Sequence, residues 1–536
     1  MWQRIYNAYR FGDAIATLGT GRLTPQEEDG LGLAGEHDYA VLDMKEINDR
    51  HMLLVKNPWC DGTIWKEPGS GTGCLADAQW TEDLRRSLAE NATLSPGTFW
   101  IEFEEVIRNF ESMYLNWNPG LFKYVETYHF SWAIPTVSPP ECFIHNPQYS
   151  IHSAKGGIVW VLLSRHTTTE EHRILKTSAH SKSRIENPLG FISLYVFDVG
   201  GHRVQLSDDA LQRGAFVDSP QTLARLNVPA STTYTLVVAQ QGLPLPKHSF
   251  TLSTFSREPI VVQMAEHPYP HSKSLEGAWT SRSAGGNAGS ASYGSNPQFS
   301  ITLSSSTDLA LLLETDRPEL PVHITIVWGG GERVSTVTGR DIIGASGDYR
   351  RGCALIKLGN VGRGKYTIVC STFEPKQLAQ FTLRVESSTI CEIRPIANEA
   401  AGRLSMNLPR LRMPPGTDRM LAPISVKRLT RLRVIAKHAG GNAGGISGTR
   451  SPLKVGLEVG QGPNKRILAT SGNGGFGDSP GGLRLGDSDV SPDMMGRGGV
   501  WLVIERFAGR KESEEVEVEI LSDGAVEVQP WGSGEG

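Results

Sequence analysis

Cysteine is scarce in this chain: six in 536 residues, at positions 60, 74, 142, 353, 370 and 391. Disulfide frameworks are dense and regularly spaced, so this distribution points to a reducing, cytoplasmic setting. No run of 18 or more apolar residues occurs, which excludes a membrane-spanning helix. The opening stretch, Met1-Trp2-Gln3-Arg4-Ile5-Tyr6, lacks the apolar core of a signal peptide. Charge of one sign is lacking too. The formal net charge is −4, so overall electrostatics name no partner. No dense Asp/Glu loop of the kind hard cations need is present, and no cofactor or metal is expected.

Glycine (59) and proline (31) are plentiful, which favours turns and short strands over long helices. A chain of this length holds about three to five domains. Residues 1–125 read as mixed. A short helix is expected over Trp2–Phe11 and a strand over Ala14–Leu18. A polar loop follows over 22–35, then strands over Tyr39–Met44 and Met52–Val55. A helix is expected over Thr81–Ala89, a strand over Phe99–Ile101, and an amphipathic helix over Phe103–Leu115. Beyond about residue 125, β-branched and aromatic runs alternate with Gly, Pro, Ser and Asn, the pattern of antiparallel sandwiches.

Two motifs repeat. Asn146-Pro147-Gln148-Tyr149-Ser150-Ile151 returns 150 residues later as Asn296-Pro297-Gln298-Phe299-Ser300-Ile301. Ala284-Gly285-Gly286-Asn287-Ala288-Gly289 returns 155 residues later as Ala439-Gly440-Gly441-Asn442-Ala443-Gly444. The expected units are therefore 126–260, 270–390 and 395–525, with a disordered tail over 526–536. The Gly-rich motif lacks the Lys-Ser/Thr ending of a phosphate loop and reads as a turn or edge segment.

The chemistry lies in Gly35-Glu36-His37-Asp38-Tyr39-Ala40-Val41 and Leu53-Leu54-Val55-Lys56-Asn57-Pro58-Trp59. A His opens one strand and an Asn closes the next. Paired antiparallel, they would meet at one rim. A Cys–His hydrolase needs this: an imidazole to take the thiol proton, and a third group to fix the ring's tautomer. Trp59 could shield the bond between them. Taken alone, the same residues also fit a structural His and an Asn-Pro turn.

The pattern His-x-Tyr-x-Val, then a strand, then Asn-Pro-Trp, resembles the second half of the calpain protease core. The segments 12–21 and 97–106, the Asn-Pro-Gln repeat and the Gly-rich repeat agree with it in order. The resemblance implies catalytic roles for His37 and Asn57, and calpain-type, C2-like sandwiches after a β-rich half of a papain-like core. The absence of EF-hand loops is similar to the atypical branch, which includes animal calpain-7 and the fungal PalB-type proteases of alkaline-pH signalling. That branch implies limited proteolysis of a zinc-finger transcription factor, and ESCRT-III partners at endosomal membranes. Calpains carry their nucleophilic Cys upstream of the His. No such Cys stands here, and Cys60 sits where calpains usually have Gly, so the chain alone is expected to be inactive. The alternative is a non-catalytic scaffold whose sandwiches bind ESCRT-type partners or anionic membrane.

Three weaker candidates remain. His267 and His271 have metal-like spacing, but Pro268 and Pro270 prevent a helix, and a linker is expected. His166 and His172 flank a run read as a solvated hairpin. Arg403 to Arg466 holds thirteen Lys and Arg against Asp418 and Glu458, a local basic excess. With few aromatics between the charges, nucleic acid is not expected as a partner.

Overall fold

The computed structural model describes residues 1–59, 65–66, 88, 95–180, 187–439, 451–507 and 513–533. Helix α1 (Trp2–Arg10) buries Trp2, Ile5 and Ala8, a stripe at helical spacing. It packs on a five-stranded antiparallel sheet: β1 (Ala14–Gly19), β2 (Asp38–Ile47), β3 (Arg50–Lys56), β4 (Thr98–Glu102) and β5 (Ser112–Trp117). The spatial order is β4-β3-β2-β1-β5. Leu18, Val41, Leu53, Phe99 and Phe103 join Trp2 and Ile5 in one core.

Two expectations in this unit are corrected. The stretch 22–35 holds helix α2 (Pro25–Leu31), started by a capping box between Thr24 and Glu27 with Pro25 in the first turn. The second amphipathic helix stops early. Helix α3 spans Phe103–Asn109, and Phe110 turns extended (φ −112°, ψ 140°). The chain then forms β5, because the free edge of β1 takes it up in unbroken register from Ala14↔Trp117 to Gly19↔Ser112. The expected helix over Thr81–Ala89 lies outside the described residues, save Leu88.

The first sandwich has one sheet from β6 (Tyr124–Ala133), β8 (Gly157–Arg165), β11 (Gln221–Val228) and β13 (Lys247–Ser256). Its order is β11-β8-β13-β6. The facing sheet comprises β7 (Gln148–Ser153), β9 (Phe191–Phe197), β10 (Gln212–Arg213), β12 (Thr232–Gln241) and β14 (Ile260–Met264). Val159, Val161 and Leu163 meet Ile192, Leu194 and Val196 between the sheets. The expected hairpin near His172 is instead helix α4 (Thr169–His180). Glu171 caps it by accepting from the Thr168 N–H at 2.8 Å.

A second sandwich spans His271–Ile396 and a third Leu404–Ser533, each of two antiparallel sheets around its own core. The second runs past residue 390, since Cys391–Ile396 pairs with Gln298–Leu303. The expected disordered tail is corrected as well. Val526–Val528 and Gly532–Ser533 both pair with Arg419–Val426, burying Val526 in the third core.

The Asn-Pro-Gln repeat has a structural use. Gln148, 1% exposed, donates to Phe143 O (2.8 Å) and Val204 O (2.9 Å) and accepts from Val204 N (2.9 Å). Gln298 exchanges the same pair of bonds with Val334 (2.7 and 2.8 Å). Arg203 and Arg333, each preceding that Val, donate to backbone carbonyls around Asn146 and Asn296. The first two sandwiches also bond to each other: Gln205 donates to the buried Glu386 (2.9 Å), and Arg350 grips Glu141 and Asp208.

Candidate active site

The pairing of β2 with β3 runs from Ile47↔Arg50 to Ala40↔Lys56. His37 and Asn57 therefore flank the same end of the ladder. His37 Nε2 lies 2.9 Å from Asn57 Oδ1. Asn57 is fully buried, and its backbone N–H donates to Gly97 O at 2.8 Å. The Trp59 N–H donates to the same Oδ1 at 3.0 Å. That backbone donor fixes which end of the carboxamide is oxygen, and an oxygen can only accept. Nε2 therefore carries its proton, and in the neutral ring Nδ1 is the basic nitrogen.

The ring is held on other sides too. The Trp59 indole lies over the imidazole, centroids 4.0 Å apart and tilted by 39°. Tyr39 meets it edge-on at 4.9 Å. The Tyr39 hydroxyl accepts from Ala34 N at 2.7 Å, tying the loop before His37 to β2. Thr20, just past β1, anchors the His37 backbone. Thr20 N donates to His37 O (2.9 Å), and His37 N donates to Thr20 Oγ1 (3.1 Å). The predicted trio of His37, Asn57 and Trp59 is thus brought together. Thr20 and Tyr39 were missed as supports. A hydroxyl at a strand end has many uses, so spacing alone could not single them out.

The other candidates separate from this rim. Cys60 and Cys74 lie outside the described residues. Cys142, Cys353 and Cys370 are buried and Cys391 is half-buried. A hydrogen bond with Cys353, burial and the Glu314 carboxylate hold the Cys142 thiol well above its usual range, and burial does the same to Cys370. Neither is a ready nucleophile. His267 bonds the buried Glu386 (3.2 Å) across a sandwich junction. No three-residue metal-ligating cluster occurs among the described residues.

The basic run is largely neutralised. Arg403 and Arg433 bond Asp487, Arg431 bonds Asp489, Arg419 bonds Glu458 and Glu505, and Lys465 bonds Glu458. Arg410 and Lys437 face the acidic last long strand through Glu517. The local excess in sequence is therefore not an unopposed basic face.

The sheet thus holds an imidazole bonded to a buried carboxamide at one rim. Residues 1–116 match the model of the calpain family of cysteine proteases, and residues 399–535 match the C-terminal domain of palB-like calpain-like proteases. The chain belongs to the calpain family. It is 44% identical over 534 residues to the calpain-like protease palB of Emericella nidulans, covering 99% of this chain and 61% of that protein. It is also 44% identical to palB/RIM13 of Aspergillus oryzae, over 99% of this chain and 61% of that one. Human calpain-7 is 30% identical over 72% of this chain and 47% of its own length. The chain thus spans less than two thirds of each of these three relatives. No described helix is long and apolar enough to cross a membrane.

Proposed function

We propose that this chain supplies the general-base side of a calpain-type cysteine endopeptidase performing limited proteolysis. The 2.9 Å bond from the His37 imidazole to the Asn57 carboxamide carries the reading. With Nε2–H held by Asn57, Nδ1 is the nitrogen that takes a proton from a thiol. The thiolate, brought by another stretch of polypeptide, attacks the scissile carbonyl carbon. The imidazolium returns the proton to the leaving amine, and a thioester remains for water to hydrolyse. Trp59 keeps water from the His–Asn bond. Likeness to the fungal branch supports a zinc-finger transcription factor of the pH response as substrate. It also supports a cytoplasmic enzyme recruited through ESCRT-III components to endosomal membranes.

By itself the 536-residue chain is expected not to cleave peptide bonds. The test joins to it the part of the Emericella nidulans relative that it does not cover, and follows casein cleavage. The fusion should cleave. His37→Ala should lower kcat about a thousandfold. Asn57→Ala should cost less and shift the pH profile, since it orients rather than transfers. Full activity of the His37→Ala fusion would refute the proposal. So would cleavage by the chain alone that Cys60→Ala abolishes. The scaffold alternative keeps its protein-binding arm. Its membrane arm loses support, because so many of the cations between Arg403 and Arg466 already face carboxylates.

A further inference from the structure

The outer face of the first sandwich departs from the polar-out rule. Along β8, the core residues Val159, Val161 and Leu163 alternate with Ile158, Trp160 and Leu162, so both faces are apolar. Strands apolar on both sides are normally covered on both sides. Here the outer face is half of a cleft of about 690 Å³. Its other wall comes from the end of β5 and the turn after it, with Trp117 and Phe122. Trp117 stands 6.3 Å from Trp160, and Phe122 stands 5.6 Å from Phe255.

Two further observations identify the occupant. First, β11 is the last strand of its sheet and pairs only with β8, so its outer edge is open among the described residues. Leu223 and Arg225, two apart on β11, both line the cleft. Second, the rim carries two arginines and two carboxylates, and the arginines are not paired with them. Arg225 lies 5.9 Å over the Trp160 ring and Arg257 stands nearby, and neither has an ion-pair partner among the described residues. Of the two rim carboxylates, Glu258 is engaged by Lys155 (3.3 Å) and only Asp13 is not.

We propose that this cleft binds an extended segment of a partner protein that adds as a strand to the open edge of β11. Side chains on one face of a strand recur every second residue, and cross-strand neighbours meet directly. The segment therefore carries an apolar residue opposite Leu223 and an acidic residue opposite Arg225: an apolar-x-acidic pattern. Backbone pairing supplies affinity and the cleft supplies selectivity. Asp13 lines this cleft at one end of β1, and Thr20 holds His37 past the other end. At roughly 3.3 Å per residue, about 20 Å of rigid strand separates the two. The site does not require that His37 be catalytic.

The probe is an end-blocked, dye-labelled heptapeptide, Thr-Leu-Thr-Glu-Thr-Leu-Thr, titrated against the full chain by anisotropy and by quenching of tryptophan emission. Saturable binding is expected, at least tenfold weaker when Lys replaces Glu. Arg225→Glu should invert that preference, and a backbone-N-methylated peptide should not bind. A thermal melt checks that the variant is folded, and the methylated peptide needs no variant. Equal affinity for the Glu and Lys peptides, indifference to Arg225→Glu, or no saturation at millimolar peptide would overturn the proposal. Binding of oleate without binding of any peptide would overturn it in favour of an aliphatic acid.

Discussion

In the second sandwich, Gln298 is 1% exposed and exchanges two hydrogen bonds with the Val334 backbone, while Arg333 donates to Gly294 O and Asn296 O. The third sandwich has no Asn-Pro-Gln. Its strand Thr430–His438 carries Arg431, Arg433 and Lys437 beside Glu514–Ser522 with Glu515, Glu517 and Glu519, and Lys437 sits directly opposite Glu517. One unit is fastened by buried neutral amides and the other by ion pairs at and near the surface. The difference teaches that charge clustered along a sequence need not be charge clustered in space, since neighbouring strands can be far apart in the chain. The fastenings should also fail differently. A buried amide bond costs its full desolvation when one partner is removed. A surface ion pair contributes little and is screened by salt.

The largest effect is expected at Gln298. Replacing it with Ala leaves the half-buried Val334 N–H and C=O without their side-chain partner and empties the buried Gln298 site, which should destabilise the second sandwich by about 3 kcal/mol. Hydrogen exchange, read separately for each sandwich, should show protection lost over His271–Ile396 and kept over Leu404–Ser533. Equal loss in both would break the comparison. Next in size is the Gly-rich repeat. A Cβ on Gly285 would meet Ser292 O at 2.2 Å and Asn296 Cγ at 3.1 Å, inside the loop that Asn296 ties by bonds to Gly285 N and Gly286 O. Gly285→Ala should cost about 2 kcal/mol. Gly289, whose Cβ would meet only Asn287 Oδ1 at 3.3 Å, should tolerate Ala far better. Denaturant midpoints of the two variants check this, and equal midpoints would mean the motif's glycines are not there for close approach.

These sites also mark what could be read without coordinates. The strands that His37 and Asn57 flank were legible because alternating apolar residues and a short connection leave antiparallel pairing as the simple outcome. The Gln298 network was half legible. The repeat drew attention to Asn-Pro-Gln, but its partner pair Arg333-Val334 is 36 residues from Gln298 and bonds mostly through backbone, which carries no residue code. Two of the helices absent from the sequence expectation do carry a start signal. Thr24-Pro25-Gln26-Glu27 and Thr168-Thr169-Glu170-Glu171 both spell a Thr-x-x-Glu helix start, and α2 and α4 begin there. The over-long helix at Phe103 had no such signal. Met113 and Leu115 fit a strand as well as Tyr114 fits a helix, and the open edge of β1 decides between them. The free edge of β11 was likewise beyond reach, since strand order is a property of the whole sheet.

The smallest expected effect belongs to the ion pairs of the third sandwich. Asp487 is bonded by Arg403 at 2.7 Å and Arg433 at 2.9 Å. Those hydrogen bonds, from Arg403 first, push its carboxyl down to about 2 from an ordinary 3.8. A folded pKa below the unfolded one means the stabilisation is present above about pH 4 and is lost as pH falls toward 2. The aspartate side chain keeps 32% of its exposure, so solvent screening discounts the gain. Asp487→Asn should cost about 1 kcal/mol at neutral pH and low salt, and less at high salt. The same acid titration should leave the Gln298 fastening untouched, because an amide does not ionise in that range. Hydrogen exchange compared at pH 6 and pH 3 should therefore show the strand Thr430–His438 loosening before Gln298–Leu303. If Asp487→Asn abolished that order, the ion pairs would be its cause. If the order persisted in the variant, the acid sensitivity would have to come from other carboxylates, with Asp489, held low by its hydrogen bond from Arg431, the first to replace.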